Sequence, residues 1–169
     1  MSTLRLILTR HAKSSWDDPA MADHDRPLNA RGIHAAGVVG DWLASRGDVP
    51  GEVLCSDATR TRQTWDQIAP HLPAAPQVTL KSALYHAGPD VMLAVLRGAT
   101  APVVMMLGHN PGIAEFAERL LARVPADPEF RRFPTCATLV ATFEVPTWKE
   151  VTFGSGAVLD FVAPRNLDG

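Results

Sequence analysis

Two short apolar runs constrain this chain more than any other feature. Leu4-Arg5-Leu6-Ile7-Leu8-Thr9 closes on Arg10 and His11, and the run from Pro102 to Leu107 closes on Gly108 and His109. Both have the length of a strand. In an open α/β sheet with parallel central strands, all strands end on one edge, and ligands bind in the crevice outside those ends. Two histidines at two such ends predict a shared site.

A third element lies between them. Val53-Leu54-Cys55-Ser56 reads as a short strand that runs into a polar helix start, Asp57-Ala58-Thr59-Arg60-Thr61-Arg62-Gln63-Thr64. Arg60 falls in the first helical turn, where the helix dipole and free backbone N–H groups already favour an anion. Arg62, two positions on, faces elsewhere on the helix. The expected site thus holds Arg10, His11, Arg60 and His109, a set suited to a phosphoryl group. Arginine offers phosphate oxygens a permanently charged, planar fork of donors, and imidazole serves near neutral pH as nucleophile, donor or proton shuttle. No metal is required by this set and no cofactor is expected.

Thr9-Arg10-His11-Ala12, Ser56-x-x-x-Arg60-x-x-Gln63-Thr64 and Gly108-His109-Asn110-Pro111 together resemble the histidine phosphatase superfamily, the phosphoglycerate mutase-like fold. Within it the chain is most similar to the short SixA-type phosphohistidine phosphatases, through Arg10-His11-Ala12-Lys13-Ser14, Asp25-x-Pro27-Leu28-x-x-x-Gly32, Leu84-Tyr85 and Pro134-Thr135. The resemblance runs from about Leu4 to about Val145. It implies a covalent phosphohistidine intermediate on His11, with Arg10, Arg60 and His109 holding the phosphoryl oxygens. It also places Arg60 in the pocket and Arg62 outside.

The secondary reading agrees with that fold. Arg31 to Arg46 carries Ile33, Ala36, Gly40 and Leu43 at helical spacing, with Asn29 as its cap and Gly47 at its end. A strand near Glu52 to Cys55, a helix from Asp57 to His71, a strand at Gln77 to Leu80 and a helix from Pro89 to Arg97 alternate along the chain. Pro111 opens another helix with Ile113, Phe116, Ala117, Leu120 and Leu121 on one face. Ala137 to Val145 and Gly156 to Val162 alternate apolar and polar positions as antiparallel strands at a sheet edge do. The expected architecture is a three-layer α/β/α sandwich on a mostly parallel, mixed sheet. A single domain spans 1–163, followed by a frayed tail over 164–169.

Composition limits the function classes. A chain of 169 residues with 46% hydrophobic content can bury one sizeable core. A net charge of −2 and a pI near 6.3, without a basic run, argue against nucleic acid as a partner. With no leading signal region and no apolar stretch near the roughly 20 residues that span a bilayer, no membrane partner is expected and the cytoplasm is the expected compartment. Cys55 and Cys136 lack a CxxC spacing and read as reduced core residues. His24, His34 and His71 lack ligand spacing and read as surface residues.

Other residues have two readings. Ser14 lies just after the nucleophile, and Thr135 where a late strand begins; either can contact substrate or serve only its own loop. Arg26 matches the family motif and reads here as a structural partner of Asp25 or Asp18. The segment Leu80 to Pro89 lacks the glutamate that mutases and many phosphomonoesterases of the superfamily carry. An alkoxide leaving group needs a positioned acid worth on the order of 10²- to 10⁴-fold. Phosphohistidine does not, because an imidazole protonated on its distal nitrogen leaves as a neutral group. The expected activity is metal-independent hydrolysis of phosphohistidine on a protein. A broad phosphomonoesterase for small metabolites, with His86 or more weakly Asp18 as acid, is the second reading. A domain that binds a phosphorylated ligand without turnover is the third.

Overall fold

In the computed structural model, which describes residues 3–167, a six-stranded sheet has the order β3-β2-β4-β1-β5-β6. The strands are β1 (Leu4–Arg10), β2 (Glu52–Cys55), β3 (Gln77–Leu80), β4 (Val103–Gly108), β5 (Thr138–Phe143) and β6 (Ala157–Val162). β1, β2, β3 and β4 run parallel; β5 and β6 are antiparallel to β1 and to each other respectively. The four α-helices among the described residues are α1 (Ala30–Arg46), α2 (Thr59–Ile68), α3 (Pro89–Arg97) and α4 (Gly112–Leu120).

The apolar runs form central strands because both faces of the sheet are covered. Leu6, Leu8, Leu54, Val104 and Met106 face Met92 and Leu96 of α3 and Phe116 and Leu120 of α4. Ile7, Val53, Cys55, Met105 and Leu107 face Val39 and Leu43 of α1 and Trp65 and Ile68 of α2. The expected three layers are present. Cys55 and Cys136 are both buried and free, and burial pushes the Cys55 thiol up to about 12.

Local signals account for most element ends. The Asn29 side chain accepts a hydrogen bond from the Gly32 N–H at 2.8 Å, and Gly47, at φ 73°, closes α1 in the left-handed region. α2 stops at Ile68 rather than His71, and the chain tightens into a 3₁₀ turn over Ala69–His71 around Pro70. The tail also departs from expectation over 164–167. Pro164–Asn166 form a 3₁₀ turn, Arg165 pairs with the buried Glu129, and Leu167 packs against the α1 and α2 side of the core. The remaining tail positions, 168–169, lie outside the described residues.

Register explains how distant segments reach one edge. Arg10 pairs with Gly108 and Thr9 with Thr138, so β1 and β4 end together exactly where the antiparallel β5 begins. The segment entering β5 therefore sits beside the loops leaving β1 and β4.

Candidate active site

His11 is fixed on both sides of its peptide. Its N–H donates to the Gly108 carbonyl oxygen at 3.1 Å, and its own carbonyl oxygen accepts from Cys136 at 3.0 Å. Helix α2 holds the following residue, because the Ala12 N–H donates to Thr64 Oγ1 at 2.9 Å. One residue earlier on the same helix, Gln63 Oε1 accepts from the Leu28 N–H at 2.8 Å. The Gln63-Thr64 pair thus ties two stretches of the β1 to α1 connection to α2.

The His11 ring has a defined tautomer. Nδ1 lies 2.7 Å from the Ala12 carbonyl oxygen, which can only accept, so Nδ1 carries the proton. Burial, and then the nearby charges of Arg10, Arg60 and Arg26, lower its pKa to about 3. At neutral pH the ring is uncharged and Nε2 keeps its lone pair.

Around it lies a cleft of about 300 Å³ lined by Arg10, Lys13, Ser14, Arg26, Arg60, His109, Asn110 and Thr135, with Trp16 at its lip. The His11 and His109 ring centroids are 5.2 Å apart. His109 Nε2 pairs with Ser56 Oγ at 2.8 Å, and burial followed by the neighbouring His11 lowers its pKa to about 3. Arg10 Nε, His109 Nδ1 and Asn110 Oδ1 are buried without a hydrogen-bond partner. Buried polar atoms are almost always paired, so three orphans on the walls of one cleft are the signature of a ligand site.

Two of the guanidinium groups are positioned by a residue the sequence did not single out. Asp23 sits in a 3₁₀ turn, Asp23–Asp25; its carboxylate accepts from Arg60 at 3.0 Å, Arg26 at 2.8 Å and the Tyr85 hydroxyl at 2.5 Å. Its carbonyl oxygen takes a second Arg60 bond at 2.7 Å. The Tyr85 hydrogen bond and then those from Arg60 and Arg26 hold the Asp23 carboxyl well below the usual carboxylate range, so it stays ionised and cannot act as an acid near neutrality.

Arg26 was expected to pair with Asp25 or Asp18. It pairs with Asp23 instead, bonds Ser14 Oγ, stacks on Trp16 with 3.3 Å between its guanidinium carbon and the ring centroid, and also lines the cleft. Ser14 and Thr135 both line the cleft as well. Arg62 is exposed and its guanidinium donates to Thr59. His24 is not a free surface residue: its Nε2 pairs with Asp57 at 2.9 Å and its ring meets Tyr85 edge-on.

His86 does not line the His11 cleft. It stacks on Tyr85, 3.9 Å between centroids, and lines an adjoining cleft of about 190 Å³ together with His109, Asn110 and Glu115. Asp18 lines neither. Glu115 of α4 lines the adjoining cleft from a different element than Leu80 to Pro89.

The loop over 133–136 brings Thr135 to the cleft at a conformational cost. Phe133 and Cys136 adopt φ of 45° and 62°, a region costing roughly 1–3 kcal/mol for such residues. Asn110 Nδ2 holds the loop through the Arg132 and Phe133 carbonyl oxygens, at 2.9 and 3.2 Å.

Residues 6–85 match the histidine phosphatase superfamily, branch 1. An uncharacterized protein of Mycobacterium tuberculosis is 34% identical over 164 residues, covering 92% of this chain and 99% of that one. The chain belongs to the histidine phosphatase superfamily.

Among solved histidine phosphatases, a candidate phosphohistidine phosphatase SixA from Nakamurella multipartitia superposes with a TM-score of 0.82 at 29% identity, over 97% of this chain and 98% of that one. Its counterpart from Agrobacterium tumefaciens gives 0.79 at 26% identity, over 97% and 99%. The fold is phosphoglycerate mutase-like and the chain is SixA-like. No helix of the described residues is long and apolar enough to cross a membrane.

Proposed function

We propose that this histidine phosphatase removes the phosphoryl group from phosphohistidine on a protein, without a metal, through a covalent intermediate on His11. The observation that carries the reading is the neutral His11 ring, its Nδ1 proton committed to Ala12, in a cleft with three guanidinium groups. Nε2 donates its lone pair to phosphorus as the substrate P–N bond breaks. That electron pair leaves on an imidazole already protonated on its distal nitrogen. Water then attacks phosphorus, the bond to Nε2 breaks with its pair returning to His11, and inorganic phosphate departs with the water proton released. Arg10, Arg26, Arg60 and His109 hold the equatorial oxygens, where preorganised donors supply most of the help. Ser14 and Thr135 complete the rim.

Two features support phosphohistidine as the substrate. Among the described residues no carboxyl group lines the His11 cleft, and Asp23, which binds two of its arginines, is held ionised by Tyr85 and those arginines. The two SixA-like neighbours are candidate phosphohistidine phosphatases. The adjoining cleft with His86 and Glu115 favours a second reading, hydrolysis of phosphomonoesters with one of these as the acid.

The test compares kcat/KM on a phosphohistidine peptide with that on sugar phosphates, in excess chelator. Phosphohistidine is expected to be preferred and chelator to be without effect. Equal or better efficiency on sugar phosphates would promote the second reading, and activity restored only by added divalent metal would overturn metal independence. His11→Ala is expected to lower turnover about 10⁴-fold or more while still binding inorganic phosphate, because the cationic donors remain.

A further inference from the structure

A groove of about 690 Å³, more than twice the volume of the His11 cleft, adjoins it and shares Lys13 and Thr135 with it. Its apolar lining is small or rigid, Ala30, Ala35, Pro134 and Ala163 among it, and His34 lines it as well. Its rim is cationic: Lys13 and Arg31 on the α1 side, Arg132 and Arg165 on the other. The carboxylate in it, Glu129, is buried and covered by Arg165. Arg132 reaches Glu129 only at 4.0 Å, and Lys13 and Arg31 form no ion pair among the described residues.

This concentration of positive charge is local, since the chain as a whole carries a net charge of −2. The cleft on the other side of His109 contains Glu115 and His86 and no lysine or arginine. A ligand with a phosphoryl group at His11 and further negative charge is therefore drawn toward α1 rather than toward α4.

We propose that this groove receives the polypeptide flanking the phosphorylated side chain and selects segments bearing aspartate or glutamate. The occupant's chemistry follows from the lining. Small-molecule sites fix their ligands with convergent polar groups. Here the charged lining is mostly exposed cations, Lys13, Arg31, Arg132 and Arg165, with alanine and proline between them. That arrangement fits several carboxylates displayed along a chain, with apolar atoms resting on alanine and proline. This inference rests on the phosphatase reading above and adds the source of its selectivity.

The experiment uses a peptide phosphorylated on histidine and flanked by acidic residues, a matched peptide with those residues amidated, and free phosphohistidine. The double variant Arg31→Glu, Arg132→Glu changes no residue of the His11 cleft. It is expected to raise KM for the acidic peptide about tenfold, the scale of two reversed exposed ion pairs, and to leave free phosphohistidine turnover unchanged. Wild-type protein is expected to prefer the acidic peptide over the amidated one, and to lose that preference at high salt. Equal losses on peptide and free phosphohistidine, or no loss on the peptide, would overturn the groove. Affinity of His11→Ala protein for the acidic phosphopeptide, measured by calorimetry with and without the charge reversals, reads the groove independently of turnover. Charge-dependent binding without wild-type hydrolysis would uphold the groove and sink the phosphatase reading. Charge-independent binding with hydrolysis would do the reverse.

Discussion

Asp23 grips Arg60 twice, through its carboxylate at 3.0 Å and its main-chain carbonyl oxygen at 2.7 Å. The same carboxylate holds Arg26, so one acidic side chain sets the spacing of two guanidinium groups of the His11 cleft. Asp23→Ala removes both restraints and the Tyr85 bond. It is expected to lower kcat/KM up to about 10²-fold, the scale of a misplacement near 1 Å. Asp23→Asn, which still accepts hydrogen bonds, is expected to recover part of that loss. Steady-state kinetics on phosphohistidine checks both, and an Asn variant as poor as Ala would argue that charge rather than placement matters.

Protonation sets a second expectation. His11 and His109 are held at about 3 in the folded chain, against 6.5 for an ordinary histidine. Between those values the unfolded chain binds protons that the folded one refuses, so stability falls as pH falls from 6.5 toward 3. Each histidine contributes a slope of up to about 1.4 kcal/mol per pH unit. Urea unfolding at pH 7 and pH 5 should show the loss, and His11→Gln should reduce it. A His11 ring that titrates near 6.5 by NMR would contradict the assignment of a neutral nucleophile held by burial.

Gly32 gives a steric expectation. A Cβ built there would lie 2.1 Å from the Lys13 carbonyl oxygen, so the first turn of α1 lies directly against the loop that follows His11. Gly32→Ala must push backbone apart, at a cost of about 1–3 kcal/mol for overpacking. Thermal unfolding measures it, and a lower kcat on phosphohistidine is expected alongside. An unchanged melting temperature would show that the loop yields freely.

The adjoining cleft gives a fourth expectation. Glu115→Gln and His86→Ala are expected to lower phosphomonoester hydrolysis at least tenfold, toward the low end of what a positioned acid supplies, with a smaller effect on phosphohistidine. Parallel assays on the two substrates decide it. Equal effects would mean that both residues act through structure.

The sheet and its two apolar faces were legible because buried parallel strands leave continuous apolar runs such as Val103 to Leu107, and helices leave 3.6-residue spacing. Arg10, His11, Arg60 and His109 were legible because each stands at a strand end or in a first helical turn. Asp23 was not: it lies in a polar connection with three other aspartates, Asp17, Asp18 and Asp25, and only the folded loop selects one. Glu115 was hidden for another reason. An acid expected from chain position falls in the segment before Pro89, whereas Glu115 belongs to α4, which topology brings alongside. Trp16 carried no periodic signal, being 75% exposed, and its stacking on Arg26 depends on the path of the loop.

The position of β1 has a consequence for the order in which the molecule can be made. The strand carrying Arg10 is synthesised first, yet its two neighbours are β4 and β5, so its second edge stays unpaired until residue 143 exists. Pairings across such sequence separations are slow to form, and unpaired apolar strands expose a chain to aggregation. A nascent chain cut short before the 133–136 loop and β5 would leave β1 with one open edge and lack the loop that carries Thr135. The arrival of β5, rather than any local helix, therefore marks the earliest moment at which His11, His109 and Thr135 can line one cleft.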